Sequence, residues 1–369
     1  GTGFRGRAEG SLAKAIEKAN HVKLPIIAID IPSGVDGNTG DVGSVAINAA
    51  LTVYLGLPKT GFFWGEGWNH VGLLRRADFG LPQEFVDQAK PQAHLVDSAT
   101  LSNLLPPLKR NRHKYQAGYT LAFAGSVEMP GAAILSTSAA MRSGCGILRL
   151  FHPVDAASAL SFSSVEVIKE GWDLKHLARI LEESRRASSL LMGPGMGRGP
   201  LVQKALKKLL STLSLPCILD ADALYFLSEH PDTILPEKTV LTPHHQEMRR
   251  LLPQKDVTRE TCQAFVDEKK VTLVLKGAPT WIFCPSELPL IIPRGDPGMA
   301  TAGTGDVLAG MIAALLAQKL GSKEAAALAV FLHALAGEIA ASEKTSYCLV
   351  ASDLLDYLPR AFSHLKHKS

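Results

Sequence analysis

The 369-residue chain contains no Gly-x-x-x-x-Gly-Lys-Ser/Thr segment, so it does not hold nucleotide phosphates in a P-loop. It lacks Gly-x-Ser-x-Gly as well, which removes the strained nucleophile elbow of the α/β-hydrolases. Cysteine is scarce: Cys145, Cys217, Cys262, Cys284 and Cys348 are an odd set with no Cys-x-x-Cys spacing. That argues against a disulfide framework and a zinc knuckle, and predicts a reducing, cytoplasmic setting. His70, His94, His113, His152 and His176 are scattered without metal-ligand spacing, which gives no ground for a transition-metal site. Excess charge is missing too. With 39 Lys and Arg against 35 Asp and Glu, the net charge of +4 is too small and too interleaved for a nucleic-acid footprint. The most apolar stretches, 307–317 and 325–341, fall short of the ~18–20 uninterrupted apolar residues of a bilayer span and are expected to be buried core helices.

What remains is an ordinary globular composition, 46% hydrophobic and 20% charged, on a length that suggests two domains. Strand-like apolar runs alternate with helical patterns almost from end to end, the signature of an α/β architecture with a largely parallel sheet. The clearest strands are 25–31, 51–55, 120–123, 190–192, 217–219, 239–241 and 272–275. A mixed-charge segment with Pro82 and Pro91 near its ends, 81–92, reads as a connection, which puts the domain boundary near residue 90. The basic tail, 360–368, reads as a frayed, solvated end.

The strongest chemical signal is the run from Gly295 to Asp306, with Gly303-Thr304-Gly305-Asp306 leading directly into an apolar helix. Glycines let the backbone turn tightly and approach a ligand, and the helix start presents unpaired N–H groups at the positive end of its dipole. That is an anion hole. Asp306, in the first turn, would lie beside a bound phosphate, where a carboxylate can accept the proton of an attacking hydroxyl. The alternative is a plain capping residue on a glycine-rich loop. Gly193-Pro194-Gly195-Met196-Gly197 follows a buried strand and is either a second close-approach loop or an ordinary turn. Asp220 and Asp222 sit just past another strand end, where α/β sheets place ligands, although one of them could simply cap the next helix. Thr242-Pro243-His244-His245-Gln246-Glu247 and Lys276-Gly277-Ala278-Pro279-Thr280 repeat the strand-then-polar pattern, so five strand ends are expected to converge on one sheet edge. His333, inside an apolar helix, reads as a satisfied core histidine.

Six ordered segments together resemble the NAD(P)H-hydrate dehydratase family of the ribokinase-like superfamily: His113-Lys114 to Gly118, Met129-Pro130-Gly131-Ala132-Ala133, the Gly193 loop, Asp220-Ala221-Asp222, Pro243-His244, and Gly295 to Asp306. Tyr115 and His245-Gln246 depart from the family's usual Gly and Pro-Gly. The N-terminal part is similar to the second half of the NAD(P)H-hydrate epimerase domain, through Gly1-Thr2-Gly3-Phe4-Arg5-Gly6, Ala28 to Asp36, and Asn38-Thr39-Gly40. The epimerase family's upstream Asn-Asn-Gly-Gly-Asp loop has no counterpart in this chain, so weak or absent epimerase activity is expected. The resemblance implies a ribokinase-like α/β sheet sandwiched by helices, 91–369, preceded by a truncated Rossmann-like epimerase segment, 1–90.

The resemblance also implies a reaction. Its substrate would be NADH or NADPH that has added water across a ring double bond. The hydroxyl would be phosphorylated by ADP or ATP, with Mg²⁺ as counter-ion, and phosphate then lost. Asp306 would be the base. Ala132, Gly197, His244 and Asp306 would contact the hydrated dinucleotide. Lys276, Gly277, Ala278, Pro279 and Thr280 with Gly303, Thr304 and Gly305 would contact the adenine nucleotide, although Lys276 by itself could be a solvated charge. In the epimerase segment, Gly1 to Arg7 and Asp30 would hold the hydrated cofactor and Ser33 would ligate K⁺; on residues alone Asp30 and Ser33 could equally be a turn. A homo-oligomer is expected, with no nucleic-acid or membrane partner. Two other readings stay open at this point: a ribokinase-like kinase of a vitamin precursor or sugar, and a non-catalytic binding protein.

Overall fold

A computed structural model describes residues 4–161 and 163–366, which form two compact units, Gly1–His94 and Leu95–Ser369. In the first unit the strands Ile27–Ile29, Leu51–Leu55 and Leu73–Ala77 form a parallel sheet in that order, with Ala28 opposite Thr52 and Thr52 opposite Leu74. The helix Gly10–His21 precedes them. The first strand is shorter than the expected 25–31. It stops at Ile29 because Asp30 turns into the left-handed region, at φ 66°, where no ladder can continue. The stretch 81–92, expected as a plain connection, holds the helix Gln83–Gln88.

The second unit is built on a ten-stranded sheet. Its spatial order is His94–Leu95, Leu290–Ile292, Thr280–Phe283, Thr272–Leu275, Thr239–Leu241, Cys217–Leu219, Ser189–Met192, Tyr119–Phe123, Ile147–Pro153 and Ile168–Trp172. From Thr272–Leu275 through Ile168–Trp172 every neighbouring pair is parallel, whereas Thr280–Phe283 and Leu290–Ile292 return antiparallel. The central strands are buried on both faces, which is why they read as unbroken apolar runs rather than alternating ones. Ile147–Pro153 and Ile168–Trp172 lie to one side, and their interior polar residues Arg149, Lys169 and Glu170 hid them from a hydrophobic reading.

Two helices dominate the core. Thr304–Ala317 is buried at every position from Val307 to Ala317, as a helix apolar on all sides must be. Gly310 lets it press against the helix Pro130–Arg142, because a Cβ there would fall 1.9 Å from the Ser136 carbonyl oxygen. Ser322–Lys344 runs beyond the expected 325–341, and by length and composition its 23 residues would suffice to cross a bilayer. Yet 83% of its most apolar stretch is buried inside the protein, where each enclosed leucine contributes about 1.5–3 kcal/mol. The basic tail is not frayed over its described length. It continues the helix Ala351–Lys366, with Ala361 and Leu365 fully buried against the core.

Candidate active site

The parallel strands carry their polar residues at their carboxyl ends, and adjacent strands bring those ends together. Gly193 follows Ser189–Met192 at φ 122°, and a Cβ on it would lie 1.8 Å from the Asp220 carbonyl oxygen, so only glycine permits this approach. Asp220 follows Cys217–Leu219. Ala221 then turns at φ 47° to start the helix Asp222–Glu229. Pro243-His244 follows Thr239–Leu241, and His244 bridges in parallel to Lys276 past the next strand, with the Lys276 N–H donating to the Pro243 carbonyl at 2.8 Å.

An ion pair lies at the centre of this edge. Lys276 Nζ is 2.8 Å from Asp220 Oδ1 and 3.8 Å from Glu247 Oε2, and the Asp220 side chain is only 2% exposed. Lys276 is therefore a partnered interior cation, not a solvated charge. Burial works against its positive charge, but Asp220, Glu247 and Asp306 outweigh it and hold its pKa above the ordinary lysine value. The N-terminus of helix Thr304–Ala317 rests on this pair. A Cβ on Gly305 would sit 3.2 Å from Lys276 Nζ and 3.9 Å from Asp220 Oδ2. Asp306, one residue on, has its pKa pushed up to about 7, first by burial and then by the Asp220 charge, with Lys276 opposing and Asp222 and Glu247 adding to the rise. A carboxyl so tuned is half-charged near neutrality and can take or hold a proton there.

The second aspartate has a different task. Asp222 Oδ2 accepts the Gly197 N–H at 2.9 Å and its Oδ1 pairs with Arg198 Nε at 2.9 Å, while the Arg198 guanidinium stacks 4.3 Å over the Tyr225 ring. Asp222 thus fixes the Gly193–Gly197 loop. Ala132, in the first turn of Pro130–Arg142, meets the same loop, since a Cβ on Gly195 would be 2.9 Å from its Cβ. His244 caps the helix His245–Leu251. Its Nδ1 accepts the N–H groups of Gln246 and Glu247, and the Glu247 carboxylate accepts the His244 N–H at 2.9 Å. His245 and Gln246, the departures from the usual Pro-Gly, are simply the first two residues of that helix.

Gly277 to Pro279 form the turn of the hairpin after Lys276, with Gly277 and Ala278 exposed and Pro279 buried, and Thr280 Oγ1 closes it onto the Gly277 carbonyl at 3.0 Å. Gly303, at φ 95°, caps the Thr304 helix without offering a side-chain acceptor, so the first N–H groups there meet no capping side chain. Three participants were given no part in the site by the sequence. Glu247 and Arg198 are ordinary surface-type residues until the fold sets them against Lys276 and Asp222. His333 donates from Nε2 to the Thr304 carbonyl oxygen at 2.9 Å. Burial holds its pKa down at about 4, so its imidazole is neutral.

In the first unit Gly1, Thr2 and Gly3 lie outside the described residues. Arg7 Nε donates to the Gly43 carbonyl at 2.9 Å, and Gly6 turns at φ 81° beside it, while Phe4 and Arg5 lead in. Asp30, left-handed at its strand end, pairs with Lys59, a residue the sequence reading passed over, and accepts the Leu55 N–H at 3.2 Å. Ser33 is exposed, with its carbonyl taken by the Ile47 N–H at 2.9 Å. Among the described residues no group of three or more His, Cys, Asp or Glu side chains is gathered as a metal site.

Comparison with known proteins agrees with this fold. A family model described as NAD(P)H-hydrate dehydratase matches residues 120–360, and one described as YjeF-related protein N-terminus matches residues 1–61. A bifunctional NAD(P)H-hydrate repair enzyme of Moorella thermoacetica is 35% identical, over all of this chain and 72% of its own length. A ribokinase-like superfamily protein of Enterococcus faecalis superposes with a TM-score of 0.68 at 30% identity, over 75% of this chain and 98% of that one. An ADP/ATP-dependent NAD(P)H-hydrate dehydratase of Bacillus subtilis, crystallised with ATP and Mg²⁺, has a TM-score of 0.64 at 27% identity, over 75% and 100%. The chain belongs to the bifunctional NAD(P)H-hydrate repair enzymes, with a ribokinase-like dehydratase unit behind an epimerase-type N-terminal segment.

Proposed function

We propose that Asp306 is the base of a nucleotide-dependent dehydration that returns hydrated NADH or NADPH to the reduced cofactor. Hydroxide is a poor leaving group at neutral pH. Transfer of a phosphoryl group from ADP or ATP to the ring hydroxyl converts it to phosphate. Loss of that phosphate from one ring carbon, and of a proton from its neighbour, then restores the double bond. The observation that carries this reading is the Asp306 carboxyl, tuned to about 7, in the first turn of a helix whose opening N–H groups meet no side-chain cap. Asp306 takes the hydroxyl proton as the oxygen attacks, and the N–H groups of Gly303 to Gly305 receive the charge on the transferring phosphoryl.

Ala132, Gly197 and His244 frame the hydrated dinucleotide, and Lys276 to Thr280 with Gly303 to Gly305 frame the adenine nucleotide. Lys276 contributes less as a direct phosphate ligand than as the cation that offsets Asp220 beneath Gly305. Mg²⁺ fits as an ion carried on the nucleotide phosphates and water, because Asp220 and Asp222 are spent on Lys276 and on the Gly197 loop and, among the described residues, no acidic cage is gathered. It would neutralise phosphate charge. In the first unit Asp30 and the Phe4 to Arg7 segment are assigned to the hydrated cofactor, and the exposed Ser33 can lend one oxygen to K⁺. A plain kinase is not favoured, because the dehydratase family model and the repair-enzyme relatives both match the chain. The test is to supply hydrated NADPH and Mg²⁺ with each nucleotide and look for recovered reduced-nicotinamide absorbance. A stable phosphorylated product in its place would contradict the proposal.

A further inference from the structure

Helix Ser322–Lys344 holds the glycine-rich loop at three points along its length. Its Glu338 carboxylate accepts the Gly295 N–H at 2.8 Å and pairs with Arg294, whose guanidinium lies 5.0 Å over the Phe331 ring. Gly337 makes room for Met299, since a Cβ there would fall 2.2 Å from the Met299 sulfur. His333, one turn earlier, reaches the Thr304 carbonyl at 2.9 Å. The first two contacts hold the loop in place. The third has a chemical consequence that packing does not require.

Thr304 opens an α-helix, so its carbonyl already serves the amide four residues on. The bond from His333 is a second donor on the same oxygen. His333 is 8% exposed and stands among the buried Ala and Leu positions of its helix, where an apolar side chain would avoid the cost of burying a polar ring. Burial keeps the ring neutral, and with a carbonyl facing Nε2 the proton sits on that nitrogen. The carbonyl of Thr304 and the N–H of Gly305 belong to one planar peptide unit. A donor on the carbonyl draws density out of that unit and makes the N–H at its other end a stronger donor, as in any hydrogen-bonded chain.

We propose that His333 is a positioning residue for phosphoryl transfer, which fixes and polarises the Thr304–Gly305 peptide so that the Gly305 N–H stabilises the transferring group. This rests on the dehydratase reading above, in which that N–H faces the phosphoryl. A group acting through the peptide strengthens a bond that matters most in the transition state, so its loss falls on kcat more than on the nucleotide KM.

The experiment compares the wild type with His333→Gln and His333→Met, measuring kcat and KM for ADP and ATP with hydrated NADPH, the melting temperature, and the Gly305 amide proton shift in glycine-labelled protein. Met fills the space without a donor and is expected to lower kcat about tenfold, with KM within about twofold and the Gly305 amide moved upfield. Gln carries an N–H close to the Nε2 position and is expected to keep most of the rate and the wild-type shift. Met at the wild-type kcat, or Gln and Met losing equally, would overturn the proposal. If His333→Met fails to fold, His333→Asn, whose amide stops a bond short, must lose what Gln keeps. A wild type inactive with both nucleotides would sink the dehydratase reading alone, because the Gly305 amide shift needs no turnover and still decides whether His333 polarises that peptide.

Discussion

Lys276 Nζ sits 2.8 Å from Asp220 Oδ1, directly beneath Gly305, where a Cβ would come within 3.2 Å of the ammonium. This pair comes from the ends of the two parallel strands that flank Thr239–Leu241. It sets the electrostatic ground on which Asp306 titrates. Asp220 pushes the Asp306 proton on and Lys276 pulls it off, so the two partners have opposite effects on one measurable pKa.

The dependence of kcat/KM on pH is therefore expected to rise through about pH 7, as Asp306 loses its proton and becomes the base. Lys276→Met removes the opposing cation and should move that limb to higher pH. Asp220→Asn removes the leading repulsive charge and should move it to lower pH. Profiles of the three proteins over pH 5–9 check the pair of shifts. Movement in the same direction would rule out this electrostatic account.

The same carboxyl makes the fold sensitive to pH in the unusual direction. Its folded pKa of about 7 lies above the 3.8 of an unfolded aspartate, so between these values the folded state binds more protons and this group's stabilisation falls as pH rises. Three units of difference correspond to about 4 kcal/mol, reduced to on the order of 1–2 kcal/mol by water at the half-buried site. Asp306→Asn should accordingly melt higher than the wild type at pH 8, with the difference shrinking toward pH 5. Thermal melts at the two pH values test this.

Gly310 separates helix propensity from packing. In an exposed helix interior, Gly→Ala gains about 1 kcal/mol. Here the added Cβ would sit 1.9 Å from the Ser136 carbonyl oxygen, and overpacking of this kind costs about 1–3 kcal/mol. Gly310→Ala is expected to lower the midpoint of urea unfolding. An unchanged or raised midpoint would mean that the two helices can part without loss.

Asp222 is expected to act on binding more than on chemistry. Asp222→Ala releases the Gly197 N–H and Arg198, loosening the loop assigned to the hydrated dinucleotide. The KM for the hydrate should rise about tenfold, the equivalent of about 1.4 kcal/mol, with kcat changed less. Steady-state kinetics with the hydrate varied at saturating nucleotide separate the two effects.

The central strands of the ten-stranded sheet were legible because burial on both faces leaves them almost wholly apolar. Cys217–Leu219, Thr239–Leu241 and Thr272–Leu275 lie where the apolar runs place them, as does the less deeply buried Leu51–Leu55 of the first unit. Ile147–Pro153 and Ile168–Trp172 were hidden by Arg149 and Glu170, whose charges pair with each other across adjacent strands and so cost the sheet little. The glycine loop that leads into a helix, with Asp306 in the first turn, was readable from the order of the residues alone. The partners that tune Asp306 were not. Glu247 looks like a helix-capping acid and Lys276 like a solvated lysine until three strand ends align. His333 reads correctly as a satisfied core histidine, but its partner, Thr304, lies 29 residues away, and only the packed helices show which peptide it serves.

The most direct measurement of the central claim is recovery of reduced-nicotinamide absorbance when the protein meets hydrated NADPH and Mg²⁺ with ADP, with ATP and with neither, in the wild type and in Asp306→Asn. The account predicts recovery that requires a nucleotide and falls about 10²–10⁴-fold in Asp306→Asn while nucleotide binding persists. Recovery at the wild-type rate in Asp306→Asn, or none from a folded wild type that binds nucleotide, would contradict it.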